Sequence, residues 1–219
     1  QQLYKFTTSF IPNDKLQVEY NLLVKSAENV ENTDLTSNSF RDSSSNPVIQ
    51  PIETDEINIL IRDEPSSINQ ELKTYYTLNE DNIFSFEAQH LSQTEDPFYR
   101  AVRDIQPFRD IIPLDTDQSK FNINQNRLVD TDKLEAKLDY YYILTPKSNL
   151  NFTVGITDVK QNFNSNIFQI LDDSSELNFN QDFLNNDVDF NFRDAYFSFN
   201  YRFITGMFTM EPGFTINTY

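Results

Sequence analysis

The sequence predicts an all-β fold: an antiparallel up-and-down transmembrane β-barrel of about eight strands. Three observations carry this expectation. Apolar residues recur at every second position in paired segments. A short turn joins the members of each pair. Long polar stretches separate the pairs, so every long loop falls at one end of the strand array and every short turn at the other. Barrels with short turns on one rim and long loops on the other have this order, whereas a soluble sandwich mixes loop lengths at both ends.

The first hairpin spans about 2–25. Tyr4, Phe6, Thr8 and Phe10 alternate up to the turn chemistry of IPNDK, and Leu16, Val18, Tyr20 and Leu22 then oppose Gln17, Glu19 and Asn21. From 26 to 69 the chain is rich in Asn, Ser, Thr and Asp, with Pro47, Pro51 and Pro65 around the island INILI, and reads as a long loop. The second hairpin, 70–92, sets Leu72, Thr74, Tyr76 and Leu78 in one phase, turns at NEDN, and resumes with Phe84, Phe86 and Ala88. A second long loop, 93–131, carries Pro97, Pro107 and Pro113, which limit any helix there to a turn.

The third hairpin, 132–162, has the clearest pattern. Leu134, Ala136, Leu138, Tyr140, Tyr142 and Leu144 share one face, with Glu135, Lys137, Asp139, Tyr141 and Ile143 on the other. After Pro146, Leu150, Phe152, Val154 and Ile156 oppose Asn151, Thr153, Gly155 and Thr157. A third loop covers 163–191. The fourth hairpin, 192–217, alternates through Ala195, Phe197, Phe199, Tyr201 and Phe203, turns at Thr205 and Gly206, and returns through Phe208, Met210, Phe214 and Ile216.

Composition narrows the function classes. The chain has 34 acidic and 17 basic residues, a formal charge of −17, which argues against nucleic acid as a partner. Cysteine is absent, so there is no disulfide framework and no thiolate metal site. No run of about 18 apolar residues could form a spanning helix, but barrel strands expose only alternate residues to lipid. With 3 glycines, phosphate-cradling loops are disfavoured, and no nucleophile-elbow, zinc-protease or dinucleotide motif occurs. The expectation is a protein that is not an enzyme and carries no cofactor.

The hairpins NQELKTYYTLNEDNIFSFEAQHL and KLEAKLDYYYILTPKSNLNFTVGITDVKQNFNSNIFQIL, with YRFITGMFTMEPGF, resemble the central barrel strands of TonB-dependent outer-membrane receptors. The likeness is nearest to the group whose precursors carry a carboxypeptidase-regulatory-like domain before the plug. It covers most of the chain as hairpin texture rather than a signature. The family's plug and TonB-contacting box have no counterpart here. The resemblance implies a gated barrel of about 22 strands, of which eight form about a third. It also implies location in the cell outer membrane, contact with its lipid, a plug domain, a TonB-type periplasmic energiser, a bulky nutrient ligand and a surface lipoprotein partner. Two features agree with a sector of a larger barrel. The chain opens on QQLYKF, without Met or an apolar leader, and reads as a processed product or fragment. Tyr219 shares its phase with Glu211, Gly213, Thr215 and Asn217, not with Phe214 and Ile216.

Candidate chemistry lies in the loops. Phe98, Tyr99, Arg100, Arg103, Phe108 and Arg109 combine cations with aromatic rings and could bind a sugar, a carboxylate or a protein. The competing reading is a self-packed loop in which Arg pairs with Asp104 and Asp110. Three acidic groups, Glu53/Asp55/Glu56, Asp172/Asp173/Glu176 and Asp182/Asp187/Asp189, could offer oxygens to calcium, but they match no EF-hand and read as solvated loops. His90, the lone histidine, reads as a solvated strand-end residue. In the barrel reading Leu138, Tyr140, Phe152 and Val154 face lipid while Lys137, Asp139 and Thr153 face the lumen. The alternative from another class is a soluble or surface-exposed β-sheet domain that binds glycan or protein. A passive porin or small anchoring barrel is a third.

Overall fold

The computed structural model describes residues 1–40, 53–109, 111–179 and 184–218. They form one antiparallel sheet of thirteen segments. In chain order these are β1 (Gln2–Asn13), β2 (Leu16–Ser26), β3 (Asn29–Ser39), β4 (Glu53–Asp63), β5 (Ser66–Asn79), β6 (Asn82–Glu95) and β7 (Phe98–Arg103). There follow β8 (Phe121–Thr145), β9 (Ser148–Ile170), β10 (Glu176–Asn178), β11 (Asn185–Thr205), β12 (Phe208–Met210) and β13 (Gly213–Thr218). No described residue is helical.

The registers reduce all of these segments but the short β10, which pairs with the end of β9, to eight through-going strands. Paired residue numbers sum to 92 both for β2 with β5 (Ser26↔Ser66) and for β3 with β4 (Asn29↔Asp63). The sum is 160 both for β4 with β7 (Arg62↔Phe98) and for β5 with β6 (Ser66↔Thr94). It is 224 for β7 and β6 against β8 (Phe98↔Asn126, Glu95↔Val129). It is 413 for β12 and β13 against β11 (Phe203↔Met210, Asn200↔Gly213). Each break is therefore a two-residue interruption of one strand. Three of the breaks hold a proline, which cannot donate to a ladder. Its carbonyl still accepts from the neighbour: Pro65 from Ala27 N at 3.0 Å, Pro97 from Arg127 N at 3.1 Å and Pro212 from Tyr201 N at 2.9 Å. The order β1, β2–β3, β4–β5, β6–β7, β8, β9, β11, β12–β13 is an up-and-down meander with every strand beside its sequence neighbours. Neither edge, β1 or β12–β13, has a second strand partner among the described residues.

The stretches expected as loops, 26–69, 93–131 and 163–191, are largely strand: they hold β3, β4, β7, β10 and the far halves of β8, β9 and β11. Their Asn, Ser and Asp content resembles loop chemistry, but a ladder is made by backbone groups and tolerates polar side chains on a wet face. The end-to-end asymmetry persists in shortened form. Four two-residue turns, at 14–15, 80–81, 146–147 and 206–207, lie at one end, and the ends at which β3 leads on to β4, β7 to β8 and β9 to β11 lie at the other. Side chains build the turns. Asn13 Oδ1 accepts from Lys15 N at 2.9 Å and Leu16 N at 3.1 Å, Asn79 Oδ1 accepts from Asp81 N at 3.1 Å, and Gly206 takes φ 58°.

The four turns are staggered. The first closes on Asn13↔Leu16, and Leu16 aligns through Tyr76 and Phe84 with Tyr140 of β8. The second closes on Asn79↔Asn82, and Asn82 aligns with Tyr142, two positions further along β8. The third closes on Thr145↔Ser148 after a register shift past Ile143↔Asn149, so in the regular register of β9 Ser148 lies level with Leu144, two positions beyond Tyr142. The fourth closes at Thr205, two positions beyond Phe203, the partner of Ser148. Each hairpin thus slips by two residues, or one per strand. A slip of about 3.3 Å over an interstrand spacing of about 4.8 Å corresponds to a tilt of about 35°, within the range of closed barrels.

The two faces of the sheet exchange character along its length. Near the turns, the face bearing Leu138 is apolar and exposed, with Leu138 at 44% and Val154 at 57%, while the face bearing Lys137 is polar and covered, with Asp139 at 6% and Thr153 at 9%. A direct row of partners, Tyr76, Phe84, Tyr140, Phe152, Phe199 and Phe214, crosses the Leu138 face with ring centroids 6.5, 4.8, 6.1, 5.1 and 5.7 Å apart. Farther from the turns the pattern inverts. The Leu138 face continues as a mainly polar one, on β8 as Asp132, Asp130, Leu128, Asn126, Asn124 and Asn122, on β9 as Asp158, Lys160, Asn162, Asn164 and Asn166 before the buried Phe168, and on β11 as Arg193, Asn191, Asp189 and Asp187. The Lys137 face there gains apolar residues among polar ones: Phe121, Ile123 and Val129 on β8, Val159, Phe163 and Ile167 on β9, Val188, Phe190 and Phe192 on β11, and Ile57, Ile59 and Ile61 on β4.

The boundary itself slants. The mainly apolar run that starts at the turns ends on the Leu138 face at Val24 and Ile68, in the row of Asp132, at Leu134 on β8, and at Ala88, Ile156 and Ala195, in the row of Ala136. It shifts across the sheet in the same sense as the turns.

Candidate functional site

On the Lys137 face near the turns, partner positions alternate in charge along one row: Glu19, Lys73, Glu87 and Lys137. Lys137 Nζ lies 3.3 Å from Glu87 and 3.8 Å from Asp139, and Lys73 lies 2.8 Å from Glu71. Asp139 also accepts from Thr153 Oγ1 at 2.5 Å. Cross-strand ion pairs of this kind keep charges on a sheet face without leaving them unpaired. Beyond Lys137 the row reaches Gly155 and then Tyr196. The Tyr196 ring lies over Gly155, where an added Cβ would sit 2.3 Å from its carbons. The missing side chain on β9 is thus filled by its neighbour on β11. A groove of about 240 Å³ follows these residues, walled by Glu71, Glu87, Gln89, Glu135, Lys137 and Tyr196. It offers fixed donors and acceptors but no nucleophile–base pair.

On the far half, the same face carries the described hydrophobic cluster: Ile112, Leu114, Phe121, Ile123, Phe179 and Leu184, with Ile167 and Leu177 packed against it. Phe121 and Ile123 share the phase of Lys137 on uninterrupted β8, so the β7–β8 connection lies on the Lys137 face. Gln169 is fully buried and clamps this connection, accepting from Asp115 N at 2.9 Å and donating to Asp115 O at 2.9 Å. Asp172 accepts from Ser119 N at 2.8 Å and from Ser119 Oγ at 2.9 Å. Lys120 pairs with Asp104 at 3.0 Å, which holds the exposed Asp104 carboxyl below its ordinary pKa and the Lys120 ammonium above its own.

Strand alternation separates the candidate ligand residues. Phe98, Tyr99, Arg100 and Arg103 belong to β7, not to a loop. Tyr99 and Arg103 share the Lys137 face through Gln125 and Phe121, while Phe98 and Arg100 take the opposite face through Asn126 and Asn124. Arg103 pairs with buried Asp55, which also accepts from Asp104 N and Ile105 N at 3.1 Å each. Phe98 is stacked under Arg62 of β4, 5.6 Å from its ring centroid, rather than under an arginine of its own segment. Phe108 and Arg109 are exposed in the connection. Asp104 pairs with Lys120, not with an arginine, and Asp110 lies outside the described residues.

The acidic groups do not converge on an ion. Asp55 is the buried partner of Arg103, Asp172 holds Ser119, and Asp173 accepts from Ser175 N and Oγ, which lowers its pKa. Asp189 accepts from Asn162 at 2.8 Å, and Asp182 lies outside the described residues. No group of three His, Asp or Glu residues could hold a metal among the described residues. His90 Nε2 meets Asp132 of β8 at 3.0 Å, a partner 42 positions away that local reading could not supply.

No family model matches this chain, and a search of curated proteins finds no significant match.

Proposed function

We propose that this chain forms one sector of an outer-membrane β-barrel wall, in a receptor that takes part in TonB-dependent uptake of a bulky nutrient. The observation that carries the membrane reading is the inversion of the two faces along continuous strands. A soluble sheet buries its apolar face and wets its polar one throughout. Here the half near the turns is inside out, and beyond the boundary the apolar positions of β4, β8, β9 and β11 shift to the opposite face. Lipid around the first half and water around the second accounts for both.

Dimensions support the same reading. From Leu134 to Leu144 the apolar band covers ten residue steps, about 33 Å along the strand and about 27 Å after a tilt of about 35°, close to the apolar band of such barrels. The slip of one residue per strand brings the short turns to one level in a tilted wall, and the slant of the boundary follows them. Beyond the band β8 continues from Leu134 to Phe121, a wall about 35 Å high standing in water.

The finer assignment rests on the hairpin wording that resembles TonB-dependent receptors. In that reading the paired charges of Glu87, Lys137 and Asp139 line the lumen against water or a plug. The far connections meet the ligand, and a TonB-type periplasmic partner and a surface lipoprotein complete the machine. The unpaired strands at both edges need further strands, since an open edge in hydrocarbon leaves peptide groups unsatisfied. The test is cell fractionation of the full-length protein with unheated gel electrophoresis. The account expects recovery with outer membranes and faster migration before boiling. A monodisperse protein without detergent would favour the soluble sheet domain instead.

A further inference from the structure

We propose that the β7–β8 connection, residues 104–109 and 111–120, is a fixed shelf across the outer vestibule, which limits the size of solute that reaches the inner wall. The inference rests on the barrel reading for the direction it calls inward. The connection lies on the Lys137 face, the lumenal one in that reading, because its apolar contacts Phe121 and Ile123 stand in phase with Lys137 on uninterrupted β8. It is fixed because independent anchors hold it along its length. Its root is tied by Asp55 to the amides of Asp104 and Ile105. Its middle is clamped by Gln169 through both backbone groups of Asp115. Its end is held by Asp172 on Ser119. A fully buried glutamine that satisfies one residue's N–H and C=O acts as an extra rung of the ladder, and losing it leaves two peptide groups unpaired. Gln169 stands opposite Ile123, eleven positions beyond Leu134, so the shelf sits about 30 Å above the apolar band. A mobile capture loop has none of these ties.

The absence of cysteine makes the test free of background from this chain. In the full-length protein in intact cells, Gln161→Cys reports the Lys137 face below the shelf, and Lys160→Cys reports the opposite face at the same height. Each is treated from outside with a small maleimide or a 5-kDa polyethylene-glycol maleimide. The expected result is equal rates at Lys160→Cys and at least about tenfold slower reaction of the large reagent at Gln161→Cys. Gln169→Ala, or replacement of 106–118 by a short Gly-Ser linker, should bring the two rates at Gln161→Cys within about twofold. Equal rates with the shelf intact, or a size ratio that survives both alterations, overturns the proposal. Migration before and after boiling on the same samples shows separately whether the barrel reading holds.

Discussion

Leu138→Arg separates a lipid-facing wall from a wet sheet by energy alone. Leu138 is 44% exposed in the isolated chain and lies one position from the middle of the Leu134–Leu144 band. If water covers that face, replacing a half-exposed leucine on the surface changes stability by within about 0.5 kcal/mol. If lipid covers it, arginine stands near the bilayer midplane and costs about 2–4 kcal/mol. Asn164→Arg is the matched control. It lies on the same face but beyond the boundary, is exposed, and is expected to cost less than about 1 kcal/mol. Urea unfolding of the full-length protein from phospholipid vesicles, with both variants in parallel, measures the difference. A Leu138→Arg cost no larger than that of Asn164→Arg would refute the lipid assignment.

Two further substitutions probe parts of the wall. Gly155→Ala brings a methyl into the space of the Tyr196 ring, which must swing away, so stability should fall by about 1 kcal/mol. In a double-mutant cycle Tyr196→Ala should remove most of that penalty, and additive losses would mean that the ring does not fill the glycine site. Asp55→Ala leaves the Arg103 guanidinium and the amides of Asp104 and Ile105 without their shared acceptor. Arg103 is partly exposed, which reduces the cost below that of a fully buried pair, to about 3 kcal/mol or less. Limited proteolysis should then cut within 104–120 well before the rest of the chain, while unchanged resistance would remove Asp55 as an anchor.

The strands that sequence reading finds are those whose exposed face is apolar. Leu134 to Leu144 and Leu150 to Ile156 declare their period because every second residue is greasy. The far halves alternate as well: Phe163, Ser165 and Ile167 against Asn164 and Asn166, or Val188, Phe190 and Phe192 against Asp187, Asp189 and Asn191. Asn and Asp, the common residues of turns, mask that alternation, and its phase is opposite to that of the nearer halves. The signal was present in the inverted period. Prolines 65 and 97 read as parts of long loops, yet each sits, as Pro212 does, where one strand passes through a local interruption and keeps its register. The candidate site was less legible. Arg103 meets Asp55 from 48 positions away, and Arg62 reaches Phe98 only because β4 and β7 are neighbours. Local spacing gathered Phe98, Tyr99, Arg100 and Arg103 into one patch, whereas strand alternation divides them between two faces.

The inversion is tested most directly by single-cysteine spin labels placed one by one along β8 from Asn122 to Leu144 in the full-length protein in bilayers. The account predicts contact with oxygen-rich lipid at 134, 136, 138, 140, 142 and 144, and none at 122, 124, 126, 128, 130 and 132, with water exposure at 126 and 132. It predicts no lipid contact at any odd position. Lipid contact that continued through the even positions to Asn122, or was absent from all of them, would contradict a wall that leaves the membrane near Leu134.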